Sequence, residues 1–273
     1  MNTDLVSVII PCYNATNYLR ACVESVLRQT YQTIEILIID DCSTQAETRT
    51  VLNELSETDR RIKIFYLNKN AGPAVARNKG IAHAHGRYIA FCDSDDMWHP
   101  AKLERQIAFM QEKRCALCSS SYYIVNEANS IIGIFRSPSK ITYQMYKCDN
   151  KIGCLTAIYD TKLLGKKYYM PLISKRQDWG LFMRILQDIQ VCYPVTQPLA
   201  YYRKRKNSIS SNKTSLIRYN IGIYKQVLGY STVTACLFFL FGFLPTYFMK
   251  VAKVKWDSCK LRKKQTLNIN VDY

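Results

Sequence analysis

The feature that most constrains this chain is a regular alternation in its first half. Leu5 to Ile10 is apolar apart from Ser7, and Ile34 to Ile39, Ile62 to Leu67 and Tyr88 to Cys92 form three further short apolar runs. Runs of this length read as strands buried on both faces. Between them lie stretches of helical period. Tyr18, Leu19, Cys22, Val23, Val26 and Leu27 recur on one face, and Thr44 with Glu47 forms a capping box ahead of Val51, Leu52 and Leu55. Pro73 opens a third helix that stops near Gly86, and Pro100 stands at a first helical position before Leu103, Ile107 and Met110. This βαβαβαβα order predicts an α/β fold with a mostly parallel central sheet, helices on both faces and ligands at the carboxyl ends of the strands.

Past Cys115 the pattern loosens into short strand-like pieces, a helix around Trp179 to Ile189, and a tail. The tail matters because of charge. The net charge is +17, and 14 of the 38 Lys and Arg residues but only 2 of the 21 acids lie from Tyr201 onward. A nucleic-acid reader carries its basic stripe on the folded domain, so no nucleic-acid partner is expected. Here the cations flank Gly229 to Met249, a segment with no charge at all. As a helix it would reach about 31 Å, one hydrocarbon thickness. Its Ser, Thr, Gly and Pro, its aromatics and the lysines from Lys250 to Lys264 suit an interfacial or re-entrant helix at least as well as a span, with a buried core helix as the third reading. An anionic membrane surface is the expected partner.

The 11 cysteines are an odd number without a repeated spacing, and the N-terminus is acidic where a signal peptide is basic, so a reducing, cytosolic-facing setting is expected. Cys115 and Cys118 have CxxC spacing without a second pair, and read as two buried thiols on a strand.

Three polar constellations fall just past strand ends: Pro11-Cys12-Tyr13-Asn14, Asp40-Asp41-Cys42-Ser43 and Asp93-Ser94-Asp95-Asp96. Three acids in four residues repel one another unless a cation or a set of donors is present. In an extended chain Asp93 and Asp95 face the same way, and carboxylates without His or Cys suit Mg²⁺ or Mn²⁺ completed by phosphate oxygens. The plainer alternative is helix capping by Ser94 or Asp96. Asp41 can accept from a nucleobase or ribose, and Arg77 on the intervening helix can neutralise a diphosphate. Asp178 begins the amphipathic helix bearing Leu181, Phe182, Ile185 and Leu186, where a helix start keeps a carboxylate ionised. It is read either as a base or as a plain N-cap, and Trp179 beside it either stacks on an acceptor sugar or belongs to the core.

In order and spacing, SVIIPCYN, EILIIDDCS, NAGPAVARNKGI, GRYIAFCDSDD, KRQDWGLFMRI and YYRKRKNSIS resemble the family 2 glycosyltransferases, inverting enzymes of the GT-A fold. Among them the chain is similar to bacterial enzymes that build surface polysaccharides. The resemblance covers roughly residues 5 to 212, implying a catalytic domain over 1–212 and a membrane-associating tail over 213–273. It implies a nucleotide-sugar donor, usually UDP-linked. Tyr13 and Asp41 would contact the uracil, Pro11 and Asn14 would shape that pocket, and Arg77 would place the phosphates. Asp93-Ser94-Asp95 reads as the DxD motif, with Asp95 the metal ligand beside Asp93, and Asp178 matches the general base. Arg203, Arg205 and Ser208 would close as a lid. The acceptor would be a growing or polyprenyl-linked glycan met at the cytoplasmic face of the inner membrane, by a peripheral or monotopic enzyme.

Two positions depart from the family pattern. Gln177 precedes Asp178 where many relatives have a second acid, and Arg205 stands where many have a His, which puts the metal's necessity in question. Two other functions compete. A sugar-phosphate nucleotidyltransferase wants a glycine-rich loop after the first strand, and Pro11 to Arg20 has no Gly. A non-catalytic nucleotide- or membrane-binding scaffold would not turn over a nucleotide sugar.

Overall fold

A computed structural model describes residues 4–205 and 213–269, with 213–216 and 264–269 described by backbone alone. Ser208 of the expected lid lies outside the described residues.

The elements run β1 (Val6–Cys12), α1 (Thr16–Leu27), β2 (Ile34–Asp40), α2 (Ala46–Thr58), β3 (Ile62–Tyr66), α3 (Pro73–His83), β4 (Tyr88–Phe91), β5 (Met97–Trp98) and α4 (Lys102–Lys113). Then follow β6 (Leu117–Cys118), β7 (Ser120–Val125), β8 (Ile131–Phe135), β9 (Ile141–Thr142), α5 (Tyr143–Cys148), β10 (Ile158–Asp160), α6 (Thr161–Leu164), α7 (Gln177–Ile189), β11 (Val191–Cys192) and β12 (Val195–Arg203). The tail forms α8 (Lys213–Gln226), α9 (Thr232–Phe238), a π-helical turn (Phe239–Phe243) and α10 (Leu244–Ile269).

The main sheet has the order β3-β2-β1-β4-β10-β6, with β3, β2, β1 and β4 mutually parallel and β10 antiparallel to both its neighbours. This is the mostly parallel α/β sheet expected of the GT-A fold. The inner parallel strands β1, β2 and β4 are largely apolar on both faces because each face is covered. Val8, Ile10, Ile36 and Ile38 meet α1, α2 and α4, while Ile9, Leu37, Ile39 and Phe91 meet α3 and α7. Gly80 makes the α3 contact possible, since a Cβ there would come within 2.5 Å of Ile9 Cγ2. A second sheet, β5-β12-β7-β8, flanks the carboxyl ends of the first, and β12 runs parallel to β7.

Three expected boundaries shift. Pro11 lies inside β1 rather than after it, opposite Ile39 and past the point where β4 has ended, so its missing N–H leaves no ladder bond unmade. The Thr44–Glu47 capping box does not form: α2 is capped at Gln45 without a side-chain bond, because Thr44 is engaged with Asn14. α4 begins at Lys102, after a turn in which His99 Nδ1 accepts from Ala101 N at 3.1 Å. Cys115 and Cys118 are buried free thiols.

The tail shares the domain's core. Ile223, Tyr224, Ala235, Phe239 and Phe243 are buried in the same cluster as Trp179 and Phe182. The π turn sits just ahead of Pro245, which has no N–H for an ordinary helical bond. Farther along α10, Thr246 donates to the Cys148 carbonyl at 2.8 Å, and Ser258 Oγ accepts from Ile134 N at 3.0 Å.

Candidate active site

A cavity of about 920 Å³ opens where the carboxyl ends of β1, β2 and β4 face the second sheet and α10. Its lining includes Pro11, Tyr13, Asp41, Arg77, Asp93, Asp95, Asp178, Arg203 and Arg205, so nine of the ten expected site residues among the described residues converge on one hollow.

At the β2 side, Asp41 is buried and both its oxygens are occupied. Oδ1 accepts from Ala71 N and Oδ2 from Gly72 N, each at 2.8 Å. These two amides form the entry to α3, and Gly72 holds φ at +86°, a conformation that other residues adopt only with strain. Tyr13, 46% exposed, presents an open ring at the rim. Asn14 is the exception: its side chain does not line the cavity. Asn14 Oδ1 accepts from Thr44 N at 2.9 Å and Gln45 N at 3.2 Å, and its own φ of 48° is left-handed, so it ties the β1 loop to the start of α2.

The acidic row follows β4. Arg77, buried on α3, pairs with Asp93; burial opposes its charge, but the Asp93 carboxylate outweighs that and keeps the guanidinium charged. Asp95 pairs with Arg205 Nε at 2.7 Å. Burial first, and then the neighbouring Asp93 charge, pushes the Asp95 carboxyl above its usual range, with Arg205 opposing. Asp96 lies behind the row and does not line the cavity. Its Oδ1 accepts from Arg203 N at 2.8 Å, its Oδ2 is buried without a partner among the described residues, and burial with the Asp95 and Asp93 charges raises its carboxyl strongly. Neither Asp96 nor Ser94 caps α4, which is capped at Ala101 without a side-chain bond.

Asp93 and Asp95 face the hollow as two hard-oxygen donors of the kind that suits Mg²⁺ or Mn²⁺, while among the described residues no group of three or more His, Cys, Asp and Glu is placed to hold a metal ion. Arg203 lines the cavity but is committed to the frame: Nε donates to the Asp95 carbonyl at 2.8 Å and Nη1 to the Asn126 carbonyl at 3.1 Å, with the guanidinium 4.5 Å from the Tyr18 ring centre.

Asp178 lies in the first turn of α7 and does not cap it, since the N-cap is Arg176 at φ 68°. Its Oδ2 accepts from Asn150 Nδ2 at 3.1 Å. Asn150 is itself fixed: its Oδ1 accepts from the Tyr146 hydroxyl at 2.9 Å, and its carbonyl accepts from Lys250 Nζ at 3.0 Å. Trp179 is fully buried and donates Nε1 to the Tyr146 carbonyl at 2.9 Å, so it belongs to the core and not to a sugar platform.

Residues 7–169 match the profile described as Glycosyl transferase family 2. The chain belongs to that family. It is 40% identical over 82% of its length, and 88% of the relative's, to Bacillus subtilis (strain 168) TuaG, a glycosyltransferase named for teichuronic acid biosynthesis. It is 41% identical over 78% of its length, and 82% of the relative's, to Escherichia coli WfgD, named UDP-Glc:alpha-D-GlcNAc-diphosphoundecaprenol beta-1,3-glucosyltransferase. The fold is similar to that of S. aureus TarS 1-349 in complex with UDP-GlcNAc, with a TM-score of 0.64 and 21% identity over 84% of this chain and 69% of that one.

In this family 2 glycosyltransferase the sequence motifs supplied the side of the hollow formed by the β1, β2 and β4 ends but missed Asn150, Tyr122, Lys250 and Val254, which line it from β7, the loop after α5 and α10. No local pattern marks them; Asn150 announces itself only once the fold sets it against Asp178. Because among the described residues the Asn150 amide is the donor that orients that carboxylate, Asn150→Ala should lower kcat about tenfold while leaving the nucleotide-sugar KM nearly unchanged, as steady-state kinetics would show. An equal rise in donor KM would place Asn150 in donor binding instead.

Proposed function

We propose that this glycosyltransferase moves one sugar from a UDP-linked donor to a hydroxyl of a lipid-linked glycan in bacterial surface polysaccharide assembly, by a single inverting displacement. The observation that carries the reading is the division of labour among the four carboxylates lining the cavity. Asp41 is occupied by backbone amides, Asp93 and Asp95 by arginines, and Asp178 alone by a neutral side chain. A carboxylate clamped by guanidinium, or with both oxygens taken by backbone amides, is a poor proton acceptor, whereas Asp178, held through one oxygen by a side-chain amide, remains available.

On this reading the Tyr13 ring receives the uracil, with Pro11 and the Asp41-anchored turn shaping the pocket. Asn14 acts from outside the pocket, by holding the loop that carries Tyr13. Arg77 draws the diphosphate towards the acidic row, and Arg205 closes over it from the end of β12. Asp93 and Asp95 would hold Mn²⁺ or Mg²⁺, which when bound supplies charge stabilisation to the leaving diphosphate. Asp178 takes the proton of the acceptor hydroxyl as the new bond forms. The donor and acceptor in the name of WfgD, and the bound nucleotide sugar of the TarS complex, support the donor and acceptor classes.

The tail supports a place on the membrane. One face of α9 and α10 is fastened to the domain from Ala235 to Ser258, and the other exposes Val233, Leu237, Leu240, Phe241, Phe248, Met249 and Trp256. Thr232–Lys263 is long and apolar enough to cross a bilayer, its most apolar window averaging a hydropathy of 1.7. A helix fastened along that length cannot cross without drawing the domain in, so it lies in the interface, basic residues towards the headgroups. The cytoplasmic face of the inner membrane is where UDP-sugars and polyprenyl acceptors meet.

A panel of nucleotide sugars should give Mn²⁺-dependent thermal stabilisation with one UDP-sugar, and Asp95→Ala should remove the metal-dependent part. No response to any UDP-sugar would refute the donor assignment.

A further inference from the structure

The end of the cavity away from Tyr13 is electropositive to a degree that the donor does not explain. Lys151 after α5, Arg176 at the start of α7 and Lys250 on α10 all line it. Two of them hold Asp149, whose side chain is 0% exposed. Lys151 Nζ donates to Asp149 Oδ2 at 3.2 Å, and Lys250 Nζ pairs with Oδ1. Arg176 adds a third cation: its Nε is buried without a hydrogen-bond partner among the described residues, and its guanidinium lies 6.0 Å from the Trp179 ring centre. The residue is held at φ 68°, a backbone conformation that costs an arginine energy. Burial lowers the Lys250 amine below its usual range; Asp149 opposes this, and the Arg176 and Lys151 charges lower it further.

Lys151, Arg176 and Lys250 outnumber Asp149 and Asp178, and Lys175 and Lys255 also line the hollow, so positive charge is in excess in a recess where the field is focused. The matching ligand carries two negative charges close together. It also has an apolar part to place, because Phe248 and Met249, adjoining Lys250 on the same helix, are exposed. The recess is joined to the reaction centre through Asn150, whose carbonyl accepts from Lys250 and whose amide donates to Asp178. Arg176 stands two residues from Asp178.

We propose that Lys151, Arg176 and Lys250 seat the diphosphate of a lipid-linked acceptor, with its lipid leaving along α10 and its sugar hydroxyl lying at Asp178. This rests on the glycosyltransferase reading, in which the donor diphosphate occupies the other end beside Arg77.

The test uses the full-length protein in detergent, first titrated with UDP and then, at saturating UDP, with farnesyl diphosphate as a stand-in for the acceptor's lipid diphosphate. Arg176→Gln should weaken farnesyl diphosphate at least tenfold, Arg176→Lys should recover part of that, and UDP affinity should stay within about twofold in both. Farnesol should bind far more weakly than farnesyl diphosphate. Equal binding of farnesyl diphosphate by Arg176→Gln and the parent overturns the proposal, and so does a parallel fall in UDP affinity, which would give the cluster to the donor. Displacement of farnesyl diphosphate by phosphatidylglycerol added as mixed micelles in the same detergent would make it a headgroup site and likewise overturn it. A parent protein that binds no UDP sinks the glycosyltransferase reading itself, a result distinct from all of these.

Discussion

Asp178→Asn should cut the rate of sugar transfer by about 10²- to 10⁴-fold while UDP binding and folding stay as in the parent. The substitution is nearly isosteric, and the Asn150 amide can still donate to the remaining oxygen. What is lost is the ability to accept a proton from the acceptor hydroxyl. No neighbouring acid can substitute: Gln177 stands where a second carboxylate would be, and Asp93 and Asp95 are held by Arg77 and Arg205. The measurement is release of UDP with acceptor present, alongside UDP affinity by titration. A variant retaining more than a tenth of the parental rate would remove Asp178 from the base role.

Replacing Phe241, Phe248 and Trp256 together by Asp should release the protein from anionic vesicles by about 10²-fold or more in partition coefficient, with its melting temperature little changed. Phe241 is 77% exposed and the other two nearly as much, so the folded domain loses almost no packing. A buried aromatic side chain contributes about 1.5 to 3 kcal/mol, so even partial immersion of three exceeds the required value of about 2.8 kcal/mol, at about 1.4 kcal/mol per tenfold. Truncation is a poorer experiment. Cutting near residue 225 would strip Phe239 and Phe243 from the core and remove the ring that lies 5.6 Å from Trp179, so unfolding would be confused with release. Undiminished vesicle binding by the triple variant would refute the membrane role of this face.

The parallel half of the fold is legible because its strands are buried on both sides, which demands unbroken apolar runs such as Ile36–Ile39 that nothing else in a short segment explains. The acidic row was legible for a related reason: Asp93, Asp95 and Asp96 follow a strand so closely that chain connectivity alone puts them at its carboxyl end. The second sheet was not legible. β7 pairs with β12, so Tyr122 finds Ala200 across a long intervening chain, and its half-buried tyrosines carry no clean alternation. Local rules also misled where a tertiary partner outbid them. Thr44 has the spacing of a cap but is taken by Asn14, and Asp178 has the position of one but is turned to Asn150. Trp179, polar-tipped and next to the base, was ambiguous until its indole N–H was seen spent on Tyr146.

The placement of α10 has one more implication. Val251 and Val254 face the hollow in which the reaction is proposed to occur, while Phe248 and Trp256 on the same rod face outward. On the proposed reading, anchorage and substrate choice are written on a single stretch of chain with a period of under four residues. Grafting the tail of one such enzyme onto another would not be a neutral exchange of addresses: it would rebuild one wall of the recipient's reaction chamber.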